Sequence, residues 1–447
     1  MDKNIPHKLL EKAKAAGATD ADITYAQSTS TEVSALNGKV DSFESATEEV
    51  IGLRFIIGKK QAVVSTSNVS EAALDKLVAQ ASSMAKAMPD DDHIALASEA
   101  DLAQDTNALI KKLDLKDGST APTVEQLKEE ALAVERAGLD VSKVSKSGGG
   151  WSSYSTSSSH LLTSAGFEGT SSSTSYSIGA CMLAGHGQSM VREYHHESKR
   201  HRSDISDIQK IGQKAGELAV KSLGAKSVTL GEVPVVFDKK VASNVLGELA
   251  SAINGNPISK GTSFLKESMG KQIFAKGIQV VDDPHMVRGL ASKAYDGEGL
   301  TNKRQVIIED GVLKTWLLDL TTASKLGLES TGNARRSAGG LPSPGRTNFY
   351  LENGDVTVDA LIADIPSGFY VTHLLSHGAN LITGDFSQGA SGFLIEDGKI
   401  TSPVHDVTVA GNLKDMFKIL QPANDLEFDK GTNSPTVRIN GMTVAGK

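Results

Sequence analysis

The sequence predicts an α+β fold in two parts. The first is an N-terminal mixed α/β region with a β-meander and helices over residues 1–226, and the second is a mainly antiparallel β domain over residues 227–447. Helical periodicity and strand-like alternation are mixed in the first part, whereas Asp-Gly and Asn-Gly pairs recur between apolar strands in the second. At 447 residues the chain is also longer than one hydrophobic core usually supports, so we expect at least two domains.

The N-terminal part begins with a helix that is followed by a β-meander. Tight turns are expected at Asn37-Gly38 and at Gly58, because these residues tolerate the positive φ that a hairpin turn requires. Two helices should follow, one beginning at Ser70 and one at Thr123. Gln126 stands three residues after Thr123, and this spacing is typical of a capping box.

A segment rich in serine and threonine lies at residues 152–177, where 16 of 26 residues are one or the other. A disordered linker is one interpretation of this composition. A polar hairpin is the other, and it is favoured because Tyr154, Leu161, Phe167 and Tyr176 recur through the segment. Such a hairpin could line a hydrated groove.

The remaining elements follow from periodicity and turn signals. An amphipathic helix is predicted over residues 204–223. The stretch VPVVF predicts a buried strand, and Asp238, the residue after it, should cap the next helix. After residue 280 the pattern is mostly β. Four hairpins are predicted there, in the stretches VIIEDGVLKTWLL, FYLENGDVT, FLIEDGKIT and VRINGMTV.

Composition limits the classes of partner. The formal net charge is -8 and the isoelectric point is near 5.8, which disfavours a broad electrostatic grip on nucleic acid or on an anionic membrane. Cys181 is the single cysteine, so no intrachain disulfide can form and a reducing compartment is favoured. The sequence has neither a signal-peptide pattern nor an apolar run long enough for a membrane span. We therefore expect a soluble, cytoplasmic protein.

Two histidine pairs resemble metal sites at first sight. His196, Glu197 and His201 form an H-E-x-x-x-H pattern, in which two imidazoles could bind zinc and the glutamate could activate water. Five-residue spacing, however, separates the two histidines by about 140° on a helix and places them on opposite faces of a strand. His373 and His377 have helical spacing, but their surroundings are strand-like and contain no glutamate.

A loop at residues 294–303 contains Asp296 and Glu298 beside two glycines. One interpretation is a pair of acidic side chains that act in a site. A glycine-rich turn is the other interpretation, and the alternate spacing favours it. The signatures of serine hydrolases, phosphate-binding loops and dinucleotide-binding loops are missing from the sequence.

Several long C-terminal motifs carry a family resemblance. They are AYDGEGLTNKRQVIIEDGVLKTWLLD, STGNARR, LITGDFSQGASGFLIEDGKIT and VTVAGNLKDM, and GLRFIIGKKQAVVSTSNVSEAAL adds an N-terminal match. In this order they resemble the TldD/PmbA metalloprotease family, and more closely its PmbA (TldE) branch. The resemblance extends from about residue 22 almost to the end of the chain.

The resemblance implies where a metal would be and why this chain lacks it. Zinc-bearing TldD subunits carry an H-E-x-x-x-H helix and a cysteine near the C-terminus. The two histidine positions correspond to Gly247 and Ala252, the glutamate to Glu248, and the cysteine to Asn433. Glycine and alanine side chains have no donor atom for zinc. The pattern at His196 lies outside the family's metal helix, so we interpret it as a chance match.

We therefore predict a metal-free subunit without catalytic residues of its own. It would pair with a TldD-type zinc subunit in a complex that degrades or processes short unfolded peptides, and it could form a homodimer when alone. By analogy, Glu248, Asp296 and Glu298 are candidates for the substrate cleft. The hairpin rich in serine and threonine would suit binding of the peptide main chain by strand addition. Two alternatives stay open: an independently active, divergent metallopeptidase that uses His196, Glu197 and His201 or the pair His373 and His377, and a homo-oligomeric peptide-binding scaffold.

Overall fold

The computed structural model describes residues 2–375 and 378–446. In the N-terminal part, the helices are α1 (Asn4–Ala15), α2 (Glu71–Ala87), α3 (Thr106–Leu113), α4 (Val124–Leu139) and α5 (Ile208–Lys221). The strands are β1 (Asp20–Leu36), β2 (Lys39–Ile57), β3 (Lys60–Thr66), β4 (Val144–Thr163), β5 (Glu168–Ala184) and β6 (Val191–Lys199). Long strands dominate because apolar and polar residues alternate over most of their length.

These six strands form one antiparallel sheet in the order β3-β2-β1-β4-β5-β6. Helices α1 and α2 cover one face at β1 to β3, where Leu9, Leu77, Ile23 and Phe55 share a buried core. Helices α4 and α5 pack together on the same sheet further along. The segment at residues 152–177 lies within the β4–β5 hairpin, and this hairpin is part of the sheet.

The C-terminal part has shorter elements. Its helices are α6 (Lys239–Ala252), α7 (Gly255–Ser259), α8 (Leu320–Leu326), α9 (Val358–Ile362) and α10 (Leu413–Ile419). Its strands are β7 (Gly231–Phe237), β8 (Val280–Asp283), β9 (Gln305–Glu309), β10 (Val312–Leu313), β11 (Ala334–Arg335), β12 (Ser343–Pro344), β13 (Asn348–Leu351), β14 (Ser367–Leu375), β15 (Asp385–Glu396), β16 (Lys399–Asn412), β17 (Gln421–Pro422), β18 (Thr432–Asn433) and β19 (Val437–Gly446).

Two larger sheets enclose the core of the C-terminal part. One has the order β10-β9-β8-β13-β18, and the other has the order β16-β15-β14-β7-β19-β17, with β16 also paired to β19. Most pairs are antiparallel, while β14 with β7 and β13 with β18 are parallel. Helix α6 contributes Val245, Leu249 and Ala252 to this core. The α+β class is thereby confirmed, whereas the division at residue 226 stays a prediction.

Two of the four predicted C-terminal hairpins are present. Asp310-Gly311 joins β9 to β10, and Asp397-Gly398 joins β15 to β16. All four of these turn residues have positive φ, between 48° and 81°. Asp-Gly supplies this backbone conformation with little strain, which is why the local signal was sufficient here.

The other two hairpin predictions are wrong. Asn440-Gly441 lies inside β19, where the register shifts between Ile439 and Met442, so the pair forms a bulge instead of a turn. After β13 the chain does not return as a strand, because the Gly354 N–H donates to the Ala423 carbonyl at 2.8 Å and Thr357 then caps α9. Both outcomes depend on distant strands that the local sequence does not reveal.

Candidate functional site

A cleft of about 1070 Å³ lies between the N-terminal sheet and the C-terminal part. The sheet contributes one face of β1, β2, β4 and β5. The opposite side consists of α6, the segment 290–297, the segment 335–338 and the segment 430–432. Residues from both parts of the chain therefore line one polar cavity.

The sheet side of the cleft, which we call the serine floor, is built mainly from small side chains. Alternation along each strand and the register between strands place these residues in three rows: Glu48, Ser28, Ser157 and Ser173; Val50, Ala26, Ser159 and Ser171; and Thr24 with Leu161. The opposite face of β1 carries Ile23 and Tyr25 into the core under α1 and α2. Small side chains on the cleft face leave room for a ligand above the sheet.

The expectation of strand addition stays a prediction for one stretch of the hairpin. Strands β1 and β4 have hydrogen-bonded neighbours on both sides at the serine floor, whereas β6 pairs with β5 only from Tyr176 to Ala184. Residues 168–175 of β5 pair with β4 on one side and, among the described residues, with no strand on the other. A ligand above the serine floor would meet hydroxyl groups, each of which can donate or accept a hydrogen bond.

Helix α6 faces the cleft with Asn244, Gly247, Glu248 and Ser251, which share one face at helical spacing. The helix begins as predicted, because the Asp238 carboxylate accepts a hydrogen bond from the Lys240 N–H at 3.0 Å. Burial raises the pKa of Glu248 above its ordinary value, against a hydrogen bond from the Ala379 backbone and the charge of Arg346. Glu248 is thus a half-buried carboxyl group directly beside the cavity.

The positions that the family resemblance assigns to the zinc ligands, Gly247, Ala252 and Asn433, do not offer donor atoms to the cleft. Ala252 is fully buried in the C-terminal core, and the residue that shares the cleft face with Gly247 is Ser251. The Asn433 amide oxygen accepts hydrogen bonds from the N–H groups of Asp429 and Lys430, and its amide nitrogen donates to the Lys430 carbonyl at 2.7 Å. The Gly247 hydrogen and the Ala252 methyl group cannot bind zinc, and the Asn433 amide is hydrogen-bonded within its own loop. These three positions therefore do not fit the ligand set of a zinc ion.

Asp296 and Glu298 form the turn that the glycine-rich spacing favours. Asp296 lines the cleft, but its carboxylate accepts hydrogen bonds from the N–H groups of Glu298, Leu300 and Ala334 at 2.8–3.2 Å. Glu298 is only 6% exposed, does not line the cleft, and accepts a hydrogen bond from the Leu320 N–H at 2.9 Å. Both carboxyl groups therefore hold segments of the C-terminal part together.

Burial makes both carboxyl groups weaker acids than they are in water. It raises the pKa of Asp296 to about 6, and it raises the pKa of Glu298 well above its ordinary value, with the charge of Asp296 adding to the effect. Glu298 Oε1 has no hydrogen-bond partner among the described residues. Ionising Glu298 therefore opposes folding.

A pH dependence of stability follows from these raised pKa values. Between the ordinary carboxyl pKa near pH 4 and the raised pKa of each group in the folded chain, which is about 6 for Asp296, the folded chain binds more protons than the unfolded chain, so stability should fall as the pH rises through this window. Glu298→Gln should remove part of this loss. We expect it to raise the free energy of unfolding by on the order of 1 kcal/mol at pH 8 and to change it little at pH 4.5.

Urea denaturation of Glu298→Gln at a series of pH values tests this prediction. The exposed Glu329→Gln is the matched control, since it removes the same charge from the surface. Parallel curves for the Glu298 variant and the unmodified chain would contradict the proposed coupling.

The H-E-x-x-x-H residues lie on β6 and just after it, and burial together with the charges of Lys430 and Lys240 lowers the pKa of His196. The Glu197 carboxylate accepts hydrogen bonds from the Ser206 N–H and hydroxyl at 2.9 and 2.6 Å. His201 is buried, and its Nε2 lies 2.8 Å from the Asp114 carbonyl oxygen. Among the described residues, no group of three or more His, Cys, Asp or Glu side chains is arranged to hold a metal ion. His373 pairs with Glu193 at 3.0 Å, and His377 lies outside the described residues.

Several charged residues at the cleft were missed by the sequence analysis. Lys293, Arg335 and Arg346, which we call the basic wall, line the cavity from three separate segments. Arg336 also lines it and pairs with Asp22 of β1, which in turn pairs with Arg54 of β2 at 3.3 Å. One local signal was available, because Arg54 interrupts the otherwise apolar stretch IGLRFII.

None of the helices in the described ranges is both long and apolar enough to cross a lipid bilayer.

Three family models match the chain consecutively. They are described as PmbA/TldA metallopeptidase domain 1 at residues 21–85, the central domain at residues 117–223 and the C-terminal domain at residues 230–446. The C-terminal match contains α6 and Asn433, and the domain 1 match contains much of the serine floor.

Full-length relatives and solved structures agree with these matches. The metalloprotease PmbA of Escherichia coli O157:H7 is 30% identical over 98% of this chain and 97% of its own length. A crystal structure from Bacteroides thetaiotaomicron, described as a candidate modulator of DNA gyrase, is 27% identical, with a TM-score of 0.90 over 100% of this chain and 99% of that one. TldE from Thermococcus kodakarensis shares the fold at 20% identity, with a TM-score of 0.84 over 99% of this chain and 100% of that one. The chain therefore belongs to the PmbA/TldD family of metallopeptidases.

Proposed function

We propose that this chain is a metal-free, TldE-type subunit of a zinc peptidase complex that degrades or processes short unfolded peptides. A separate TldD-type chain would carry the zinc, and this chain would close the chamber and hold the substrate. The single buried cysteine, Cys181, is compatible with a cytoplasmic complex.

One observation carries the proposal. The helix that the family resemblance identifies as the metal helix faces the cleft, and there it presents Gly247 and Glu248. The Asn433 amide, at the mapped cysteine position, is held by its own loop. Retention of the cleft together with loss of every mapped metal donor fits a subunit that binds substrate for another chain.

The cleft supports a role in holding an extended peptide. The serine floor offers hydroxyl groups and little side-chain bulk, so main-chain groups could be bound with little demand on the sequence. Across from it, Glu248 and the basic wall supply charged groups at fixed positions. This arrangement suits binding and orientation of a peptide without chemistry by this chain.

Metal content and peptidase activity test the proposal together. We expect the purified chain to contain far less than one zinc per chain and to leave an unfolded test peptide such as reduced, denatured insulin B chain intact. Co-expression with a TldD-type chain of the same organism should give a stable complex that contains zinc and cleaves this peptide. Native mass spectrometry would give the stoichiometry and would show whether the chain alone forms a homodimer.

Controls separate the proposal from its alternatives. The TldD-type chain alone gives the activity to which the complex is compared. His196→Ala with His201→Ala should leave the zinc content and activity of the complex unchanged, apart from any loss of stability that the buried His201 brings. Stoichiometric zinc and peptide cleavage by the isolated chain would overturn the proposal in favour of an independent metallopeptidase. A failure to bind any TldD-type chain would favour a scaffold.

A further inference from the structure

The basic wall is a group of cations without ion pairs among the residues that the structure describes. None of the side chains of Lys293, Arg335 and Arg346 forms an ion pair within the described residues. Arg346 donates a hydrogen bond from Nε to the Thr432 hydroxyl at 2.6 Å, and its Nη2 lies 4.0 Å from the position that a Cβ on Gly247 would occupy. Three cationic groups therefore border the same cavity beside the cleft face of α6.

The positive charges of these side chains repel one another. Burial lowers the pKa values of Lys293 and Arg346, and the charge of Arg335 lowers both further. The charges of Asp282 and Asp296 act against this effect at Lys293, and those of Asp282 and Glu248 do so at Arg346, but none of these carboxylates forms an ion pair with the wall among the described residues. An anionic ligand would relieve this repulsion, because opposite charges attract strongly where water is partly excluded.

Arg336 adds a second, independent observation. Its side chain lines the cleft and is only 3% exposed. Its ion pair with Asp22 leaves Nε and Nη1 without hydrogen-bond partners among the described residues. Buried guanidinium N–H groups without partners are unusual, since burying an unpaired polar group is unfavourable. Arg336 thus has buried N–H groups without acceptors in a side chain that lines the cleft.

We propose that the basic wall binds a carboxylate group of the peptide held in the cleft. The inference rests on the proposed function, because it specifies which part of the peptide this chain grips. The guanidinium groups of Arg335 and Arg346 suit a carboxylate, which accepts paired hydrogen bonds. The same chemistry is offered by a C-terminal carboxylate and by an aspartate or glutamate side chain.

A peptide is favoured over a nucleic acid as the source of the anion. The formal net charge of the chain is -8, which opposes the approach of a polyanion. The serine floor opposite the wall offers hydroxyl groups suited to main-chain amides and lacks the aromatic platforms on which bases stack. A competing oligonucleotide is nevertheless a useful test ligand.

Peptide binding to the full chain, or to its complex with a TldD-type chain, tests the proposal. Three fluorescein-labelled nonapeptides of Gly, Ala and Leu serve as probes: one with a free C-terminus, one amidated, and one amidated with a central glutamate. We expect both carboxylate-bearing forms, or one of them, to bind about tenfold more tightly than the neutral peptide. The better of the two identifies the source of the carboxylate. Anisotropy titrations at several salt concentrations provide the measurement.

Variants of the wall assign the effect to these residues. Lys293→Met with Arg335→Ala should abolish the roughly tenfold preference for a carboxylate-bearing peptide over the neutral peptide. Thermal melting of the variant checks that it is folded, because Lys293 is buried and interacts with the charges of Asp296 and Asp282. The matched control is Lys303→Met with Arg304→Ala, which removes two exposed cations nearby.

Two outcomes would overturn the proposal. One is equal affinity of all three peptides for the unmodified chain, or no binding by either form of the protein. The other is displacement of the peptides by a short single-stranded oligonucleotide at lower concentration than by the free carboxylate peptide. Failure of the proposed function is distinguishable, because then carboxylate-dependent binding would persist without peptidase activity in the presence of a TldD-type chain.

Discussion

Replacing Asp22 with alanine is expected to lower the free energy of unfolding by about 3–5 kcal/mol. Asp22 is 2% exposed and lies between the guanidinium groups of Arg54 and Arg336, which are also buried. Without this carboxylate, two positive charges would remain in the interior with no counter-charge in contact. The network also joins β1 and β2 of the N-terminal sheet to the segment after β11, so its loss should loosen the contact that forms one end of the cleft.

Two further variants show whether charge balance is responsible. Arg54→Met leaves Asp22 paired with Arg336, so we expect it to be less destabilising than Asp22→Ala, although Arg54 also donates to Gln61 and to the Ala95 carbonyl. Asp20→Ala changes the same residue type two positions earlier on β1, where the side chain is half-buried and accepts one long hydrogen bond from Ser164. Its effect should be about 0.5 kcal/mol.

Urea denaturation followed by tryptophan fluorescence is a suitable measurement. Trp151 lies on β4 opposite Ser34 of β1 and Trp316 lies in the C-terminal core, so the emission reports on unfolding of both parts of the chain. A loss for Asp22→Ala no larger than that for Arg54→Met would show that the two arginines tolerate each other without the carboxylate.

Elements with local signals were predictable from the sequence. The capping box at Thr123 and Gln126 and the cap at Asp238 are present, because each cap needs only residues within one helical turn. Asp310-Gly311 and Asp397-Gly398 form the expected turns. Asn440-Gly441 has the same local character but forms a bulge, because β19 continues along β7 on both sides of it. The choice of partner strand is not encoded near the turn.

Only part of the candidate site could be predicted from the sequence. Family motifs identified α6, and helical geometry places Gly247 and Glu248 on its cleft face, whereas Ala252 falls on the buried side. The basic wall was not predictable, because Lys293, Arg335 and Arg346 come from segments that only the tertiary fold brings together. Asp22 and Arg54 pair across neighbouring strands, and that pairing depends on a register that the sequence does not fix by itself.

Filling the cleft should abolish the contribution of this chain to peptide processing. Ser159 lies in the middle row of the serine floor, between Ala26 and Ser171 in the strand register. Tryptophan at this position would occupy the space above the sheet that a peptide needs. If the complex with a TldD-type chain processes peptides through this cleft, Ser159→Trp should reduce its kcat/KM by on the order of 10²-fold, since even a small misplacement of a substrate is very damaging.

The matched control is Ser155→Trp, which lies on the same face of β4 but outside the residues that line the cleft. It adds the same bulk to the same strand, so any general effect on folding or on assembly with the partner should appear in both variants. Wild-type turnover by the Ser159→Trp complex would show that peptides reach the zinc subunit by another route. Loss of turnover by both variants, with intact assembly, would mean that the peptide path extends beyond the cleft along the β4–β5 hairpin. A selective loss for Ser159→Trp would locate the peptide directly over the serine floor, within reach of Glu248 and the basic wall.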